Sequence, residues 1–273
     1  MRTDCEGLAI LKSNKSAART IDILCLLAKS PKPLTQQEIS QALGWPKSST
    51  YELIYTLLEK EILEFDNEDL KTFRLGIKVF EIGMSVLEKT DLPKIARPFL
   101  EELSAKTDET VFLAVENKDA IVYLDRIEKM SSITTSAGLG MRRPMYCTGL
   151  GKAMLAAYPA SRVKEIWDAG DHPAVTKNTI RSYDEMVQAL AQTRQRGFAV
   201  DNREMEDEIF CVAAPIYGRS DKAVGAISIA AIYLKMNPKK TELFGNMIVE
   251  TALAISKRLG YRRDNLYSEG IAF

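Results

Sequence analysis

The sequence predicts an α+β protein in two parts: a small helix-rich N-terminal domain closed by a β-hairpin, then a larger domain in which an antiparallel sheet carries packed helices. Three observations predict it. Two short amphipathic stretches meet at Gly44 with the spacing of a helix-turn-helix. Two β-like runs then flank a polar tip at Asn67. Beyond Leu92, strand and helix patterns mix without a regular βαβ alternation, which argues against a doubly wound parallel sheet. With 273 residues, 46% of them hydrophobic, there is material for one large core or two ordinary ones.

The elements follow in order. "AARTIDILCLLAKS" places Ile21, Leu24, Leu27 and Ala28 at helical spacing, and Pro31 and Pro33 end the helix. In "LTQQEISQALG", Thr35 and Glu38 stand at capping-box spacing, Ile39, Ala42 and Leu43 form the stripe to be buried, and Gly44 suits a helix C-cap. Pro46 suits the first turn of the next helix, which runs to Lys60 with Thr50, Leu53, Ile54, Leu57 and Leu58 on one face. Ile62 to Phe65 and Thr72 to Leu75 are the hairpin strands, a wing with Asn67 at its polar tip. "IKVFEIGMSVLEK" carries Val79, Ile82, Val86 and Leu87 as a helical stripe, more apolar than one helix can bury on its own wing, and "TDLPK" interrupts it. The expected division is therefore residues 1–76, a linker helix over 77–91, and a second domain over 92–273.

In that second domain "IARPFLEELSAKT" reads as helix, and "ETVFLAVEN" and "DAIVYLDRIE" read as paired strands. "SITTSAGLGMRRPMYC" reads as strand and loop, "GLGKAMLAAYP" as a helix opened by glycines, and "SYDEMVQALAQTRQRG" as a helix ended by Gly197. "IFCVAAPIYG" and "AVGAISIAAIY" are two further strands, and "TELFGNMIVETALAISKRLG" is a C-terminal helix.

Composition excludes several function classes. Lys+Arg 37 balances Asp+Glu 37, and the pI is near 6.7, so this is not a chain that coats nucleic acid or an anionic membrane through bulk charge. The four cysteines, Cys5, Cys25, Cys147 and Cys211, form no CxxC pair, and His172 is the single histidine, so neither a disulfide framework nor a zinc site is expected, and no cofactor. No apolar leader and no run of about eighteen apolar residues occurs, so a cytoplasmic protein without a membrane partner is expected.

Thr148 to Lys152 opens a helix. Free N–H groups at a helix start, approachable because of the glycines, form an anion site, with Gly149 and Leu150 as donors. The plain alternative is a helix start whose glycines serve packing alone. Lys152 is expected to be a structural or surface residue whose side chain points out past the first turn, and Glu204 and Glu206 read equally well as a solvated charge run. A catalytic reading would require Cys211 to be activated by a base such as His172, but no nucleophile motif surrounds Cys211, so no catalytic residue is assigned. Cys211 is otherwise a small core residue and His172 a solvated loop residue.

Taken in order and spacing, "FRLG" after the wing, "GMRRPMYCTGLGKAMLA", "RGFAVDNREMEDEIFCVAAPI" and "AVGAISI" resemble the IclR family of bacterial transcriptional regulators, from about Ala17 to Gly260. The resemblance implies a winged helix-turn-helix, a linker helix and a GAF-like effector domain. It implies homodimers or dimers of dimers on pseudo-palindromic double-stranded operator DNA, and a small organic carboxylate, from sugar-acid or aromatic catabolism, as effector. It adds Thr135, Arg143, Asp201, Cys211 and Ser228 to Gly149 and Leu150 as effector-binding positions. Ser228 is otherwise a solvent-face strand residue, and Arg143 a solvated charge. The DNA-binding set is Thr35, Gln36, Lys47, Ser48, Ser49, Tyr51, Glu52 and Tyr55. The chain departs from the family pattern at Glu52, where an arginine is common, and at Glu208 and Ala230 beside the expected effector positions.

Glu52 faces outward with Ser48, Tyr55 and Glu59. Its carboxylate is repelled by phosphates yet can accept a hydrogen bond from the N4 amino group of cytosine. Alternatively it caps the helix start with Ser49. The expected function is a ligand-responsive, operator-binding regulator. The alternatives are a sensor or interaction module with weak or lost operator binding and, least favoured, a cysteine-dependent enzyme.

Overall fold

The computed structural model describes residues 14–88, 91–128 and 137–267, with the backbone alone in 85–88 and at 91. The chain divides into two compact units, with the break between residues 89 and 90. Among the described residues no helix is long and apolar enough to cross a membrane.

The first unit contains α1 (Lys15–Lys29), β1 (Leu34–Thr35), α2 (Gln36–Leu43), α3 (Lys47–Glu59), β2 (Leu63–Asn67), β3 (Thr72–Leu75) and α4 (Ile77–Glu88). The Asn14 side chain caps α1 by accepting from the N–H groups of Ser16 and Ala17. The Thr35–Glu38 capping box forms with both of its bonds, Glu38 N to Thr35 Oγ1 at 3.3 Å and Thr35 N to Glu38 Oε2 at 2.8 Å. Gly44 ends α2 at φ 68°, the left-handed region where a side chain is penalised, so the chain can turn into α3 within three residues. The wing forms as expected, and β1 adds a third strand, Leu34 pairing with Phe73, which the short run "LT" did not announce.

Two expected stripes are corrected. In α1 the buried residues are Ile23 and Leu27, while Ile21 and Ala28 are exposed. Leu27 belongs to both candidate stripes, and only packing against the β1-β3-β2 sheet chooses between them. In α2 Ala42 is exposed and Ser40 is buried instead, its hydroxyl donating to the Trp45 carbonyl at 2.7 Å, which makes a polar residue acceptable in the core. Ile23, Leu27, Leu34, Ile39, Ile54, Leu57, Leu63 and Phe73 make this core. In α4, Val79 is half-buried, while Ile77, Phe80 and Ile82 are exposed; the side chains of Val86 and Leu87 lie outside the described residues.

The second unit contains α5 (Asp91–Thr107), β4 (Thr110–Asn117), β5 (Ala120–Ile127), β6 (Arg142–Pro144), α6 (Gly149–Ala156), α7 (Ala160–Asp168), α8 (Tyr183–Arg196), β7 (Ala199–Asn202), β8 (Ile209–Tyr217), β9 (Ala223–Ile232) and α9 (Pro238–Arg258). The six strands form one antiparallel sheet in the order β6-β5-β4-β9-β8-β7. Helices α5 and α9 cover one face, with Leu100, Leu113, Val212 and Phe244 between them and the sheet. Helices α6, α7 and α8 cover the other, over Phe112, Ile121, Ala213 and Met186. Burial on both faces explains why β8 and β9 read as continuous apolar runs rather than alternating ones. Helix α4 ends at Glu88, and Asp91 to Lys94 of "TDLPK" open α5, with Pro93 in its first turn, where a missing N–H costs nothing. Helix α7 and strand β7 are elements that the sequence pattern had not marked out.

Candidate functional site

In the first unit, the outward side of α3 is formed by Lys47, Ser48, Tyr51 and Glu52, all exposed, with Ser49 and Tyr55 half-buried. Tyr51 and Tyr55 pack their rings 4.1 Å apart. Several polar groups expected on this face are engaged within the domain. The Thr35 hydroxyl donates to Glu38 Oε2 at 2.9 Å. Gln36 Nε2 donates to the Lys47 carbonyl at 2.8 Å and ties the start of α2 to the start of α3. Glu52 does not cap the helix with Ser49: the Ser49 hydroxyl donates to the Pro46 carbonyl at 3.2 Å, and α3 has no side-chain cap. The alternative in which Glu52 caps the helix is therefore corrected. Pro46, with φ fixed near the helical value, already starts the helix. The wing tip, Asp66-Asn67-Glu68-Asp69-Leu70-Lys71, is acidic, and Arg74 behind it is held by Glu64 at 2.7 Å.

In the second unit, one pocket brings together Gly149, Leu150, Asp201, Cys211 and Ser228. Strand register explains how residues so far apart in sequence meet. Asp201 pairs with Cys211 across β7 and β8, Cys211 with Ala230 across β8 and β9, and Ala213 with Ser228. Ser228 in turn pairs with Phe112 on β4. Alternate residues share a sheet face, so these side chains all point to the α6 side. Ser228 is thus buried in the pocket rather than on a solvent face.

Helix α6 begins directly above this row. The Thr148 hydroxyl accepts from Gly151 N at 3.1 Å, which leaves the N–H groups of Gly149 and Leu150 without an acceptor in their own helix. A Cβ built on Gly149 would lie 3.4 Å from the Cβ atoms of Cys211 and Ala213 and 3.6 Å from that of Asp201, so the glycine opens the floor of the pocket. Gly151 has a different reason: its Cβ would fall 2.3 Å from the Met145 Cα and carbonyl oxygen, and no side chain fits.

Asp201 is 3% exposed, and one of its oxygens accepts from Glu204 N at 2.7 Å. Burial pushes its carboxyl up to about 7, with nearby Lys152 opposing the rise and Glu204 adding to it. Burial likewise holds the Cys211 thiol well above its ordinary value, reinforced by Asp201 and Glu206. Such a thiol stays protonated at neutral pH and is no thiolate nucleophile. His172 lines a separate cleft, half-buried rather than solvated, its ring stacked on Trp167 at 3.7 Å. The catalytic pairing of Cys211 with His172 has no geometric basis.

Lys152 takes the structural of its two expected roles, but it points inward rather than out past the first turn. Its Nζ forms an ion pair with Glu204 Oε1, and Glu204 is buried rather than part of a solvated run. The Thr179 hydroxyl pins the Glu204 carbonyl at 2.7 Å, which holds this segment against α6. Arg143 does not line the pocket. It lines the neighbouring cleft and stands 3.8 Å from Glu206, which does line the pocket. Thr135 lies outside the described residues. Phe112, Tyr123, Ala137, Met205 and Ile209 also line the pocket. Sequence reasoning missed them; for Phe112 the one signal was its same-face position across from Ser228, which requires the sheet order to be known.

Two family models match the chain: the IclR helix-turn-helix domain over residues 16–67 and the C-terminal domain of bacterial transcriptional regulator IclR over residues 84–257. Among curated relatives, the HTH-type transcriptional regulator KdgR of Escherichia coli (strain K12) is 30% identical over 82% of this chain and 85% of its own length. XynR of the same organism, also an HTH-type transcriptional regulator, is 28% identical over 90% of this chain and 98% of its own. The crystal structure of Thermotoga maritima IclR matches with a TM-score of 0.76 at 31% identity, covering 90% of this chain and 99% of that one. An IclR homologue from Microbacterium hydrocarbonoxydans, crystallised with 4-hydroxybenzoate, shares the fold with a TM-score of 0.77 at 21% identity over 89% of this chain and 98% of that one.

Proposed function

This chain belongs to the IclR family of bacterial transcriptional regulators, and we propose on that premise that it binds operator DNA through α3 and changes its grip when the α6 pocket takes up a small carboxylate. Helix α3 enters the major groove, with Lys47 and Ser48 near the backbone and Tyr51 and Glu52 facing base edges. The acidic wing tip is a poor phosphate partner, so α3 carries the base reading. Two subunits place two such helices on a pseudo-palindromic site. The exposed Ile77, Phe80 and Ile82 of α4 support at least a dimer.

The observation that carries the ligand reading is the start of α6 at Gly149 and Leu150, lining one pocket with Asp201, Cys211 and Ser228. A carboxylate is held by the N–H pair and the helix dipole, while a hydroxyl on the ligand reaches Asp201 or Ser228. Regulation follows if the ligand binds one subunit arrangement better than another. The test is a thermal-shift screen of catabolic acids, beginning with sugar acids and 4-hydroxybenzoate, followed by footprinting with and without the acid that binds. A ligand at one hundred times its dissociation constant adds about 2.7 kcal/mol of stability.

Exposed Glu52 and the acidic wing tip favour a second reading, a sensor that has lost tight operator binding. A binding-site selection that enriches no motif would decide for it.

A further inference from the structure

We infer that the α6 pocket takes its ligand as a monoanion together with one proton drawn from solvent onto the Asp201 carboxyl, and that it turns away dicarboxylates of the same skeleton. This rests on the carboxylate reading above and adds a charge rule to it.

Among the described residues, the titratable side chains that line the pocket are Tyr123, Asp201, Glu206 and Cys211, all of them acids. The nearest cations stand behind the wall and are already paired, Lys152 with Glu204 and Arg143 with Glu206. Asp201, Glu204 and Glu206 against Lys152 and Arg143 leave one negative charge in excess before any ligand enters. The start of α6 offsets only about half a charge.

A ligand carboxylate on the Gly149 and Leu150 N–H groups shares its pocket with the buried Asp201 carboxyl, which lines the same cavity. Two carboxylates sharing one pocket, one of them buried, do not readily both stay ionised. The proton goes to the weaker acid, which is Asp201, already pushed up to about 7 by burial, and not a free carboxylic acid. The groups facing Asp201 agree. Cys147 ahead of α6, Cys211 on β8, Tyr123 on β5, and Glu204 and Glu206 after β7 bring no positive charge. Lys152, occupied by Glu204, and the backbone N–H groups of Glu204 and Met205 oppose protonation, and burial outweighs them. Protonated Asp201 becomes an O–H donor to the ligand. A second ligand carboxylate would meet Glu206, and Arg143 could serve it only by leaving that partner.

The experiment is calorimetric titration of the full-length protein at pH 6, 7 and 8, in phosphate and in Tris. The probes are gluconate against glucarate, 4-hydroxybenzoate against 4-hydroxyphthalate, and acetate against malonate. A monocarboxylate that binds should take up little proton at pH 6 and close to one at pH 8. Its affinity should fall by up to about tenfold per pH unit above 7. Its dicarboxylate partner should bind at least about tenfold more weakly, and Glu206→Gln should narrow that gap. Asp201→Asn should abolish the proton uptake and flatten the pH dependence, whatever affinity remains. A monocarboxylate bound without proton uptake, or a dicarboxylate preferred over it, overturns the inference alone. A panel in which nothing binds overturns the carboxylate reading and the inference with it.

Discussion

Lys152 and Glu204 form an ion pair whose side chains are only 3% and 8% exposed, one from the first turn of α6 and the other from the segment after β7. Glu204 Oε2 is buried without a hydrogen-bond partner, so Lys152 is what makes this carboxylate tolerable. Lys152→Met should destabilise the protein by about 3–5 kcal/mol, because it strands a buried charge. The double change Lys152→Met with Glu204→Leu should recover much of that loss. Urea melts of the four proteins measure the coupling, and strict additivity would show that the pair is not interacting as described.

The two glycines of α6 should separate stability from binding. Gly151→Ala drives a methyl into the Met145 backbone at 2.3 Å and should unfold the protein or lower its stability by more than about 2 kcal/mol. Gly149→Ala meets its neighbours at 3.4 Å and should fold, yet lose affinity for the acid because the methyl stands on the pocket floor. Gly149→Val should abolish the ligand response while leaving ligand-free DNA affinity nearly intact. An unchanged ligand titration for Gly149→Val would remove the pocket assignment.

Asp201 should make the unliganded protein less stable as pH rises. Its folded-state value, about 7, lies above the ordinary 3.8, so the folded state holds a proton that the unfolded state has released between those values. Its contribution is complete below pH 3.8, declines as pH rises toward 7, and is lost above 7. Asp201→Asn should therefore gain on the wild type across that window, by an amount on the order of a few kcal/mol, and hold a constant margin above it. Denaturant melts at pH 5, 6, 7 and 8 would show a flat difference if Asp201 titrated normally.

Glu52 is exposed on α3 and free of the Ser49 cap, and base reading is the role proposed for it. Glu52→Gln should relax discrimination at one position per half-site by about 1–3 kcal/mol. Glu52→Arg should raise non-specific affinity and steepen the salt dependence, replacing a repelled charge with a phosphate partner. Binding-site selection checks both, and an identical motif from wild type and Glu52→Gln would strip Glu52 of that role.

Helix α4 exposes 67% of Ile77, 62% of Phe80 and 55% of Ile82. Sedimentation at micromolar concentration should therefore find a species of at least twice 30.5 kDa. Phe80→Asp should shift it toward the monomer and weaken operator binding in parallel.

The elements of the first unit were legible because each carries its own local chemistry. The Thr35–Glu38 box, Gly44 at positive φ and the polar hairpin tip at Asn67 are decided within a few residues, so the helix-turn-helix and wing could be read directly. The glycine-opened helix start at Gly149 and Leu150 was legible for the same reason. Choices between near-equivalent stripes were not. Ile21 and Ile23 are equally apolar, and only the sheet beneath α1 decides which is buried. Lys152 shows the limit most plainly: the helical pattern places it in the first turn of α6, but its direction depends on Glu204, more than fifty residues away. The pocket lining likewise depends on β4, β9, β8 and β7 lying side by side, an order that non-local pairing sets. Local backbone preferences and caps act over a few residues and are written in the sequence. Burial, charge pairing and the titration of Asp201 depend on which distant segments exclude water together, and only the tertiary structure decides that.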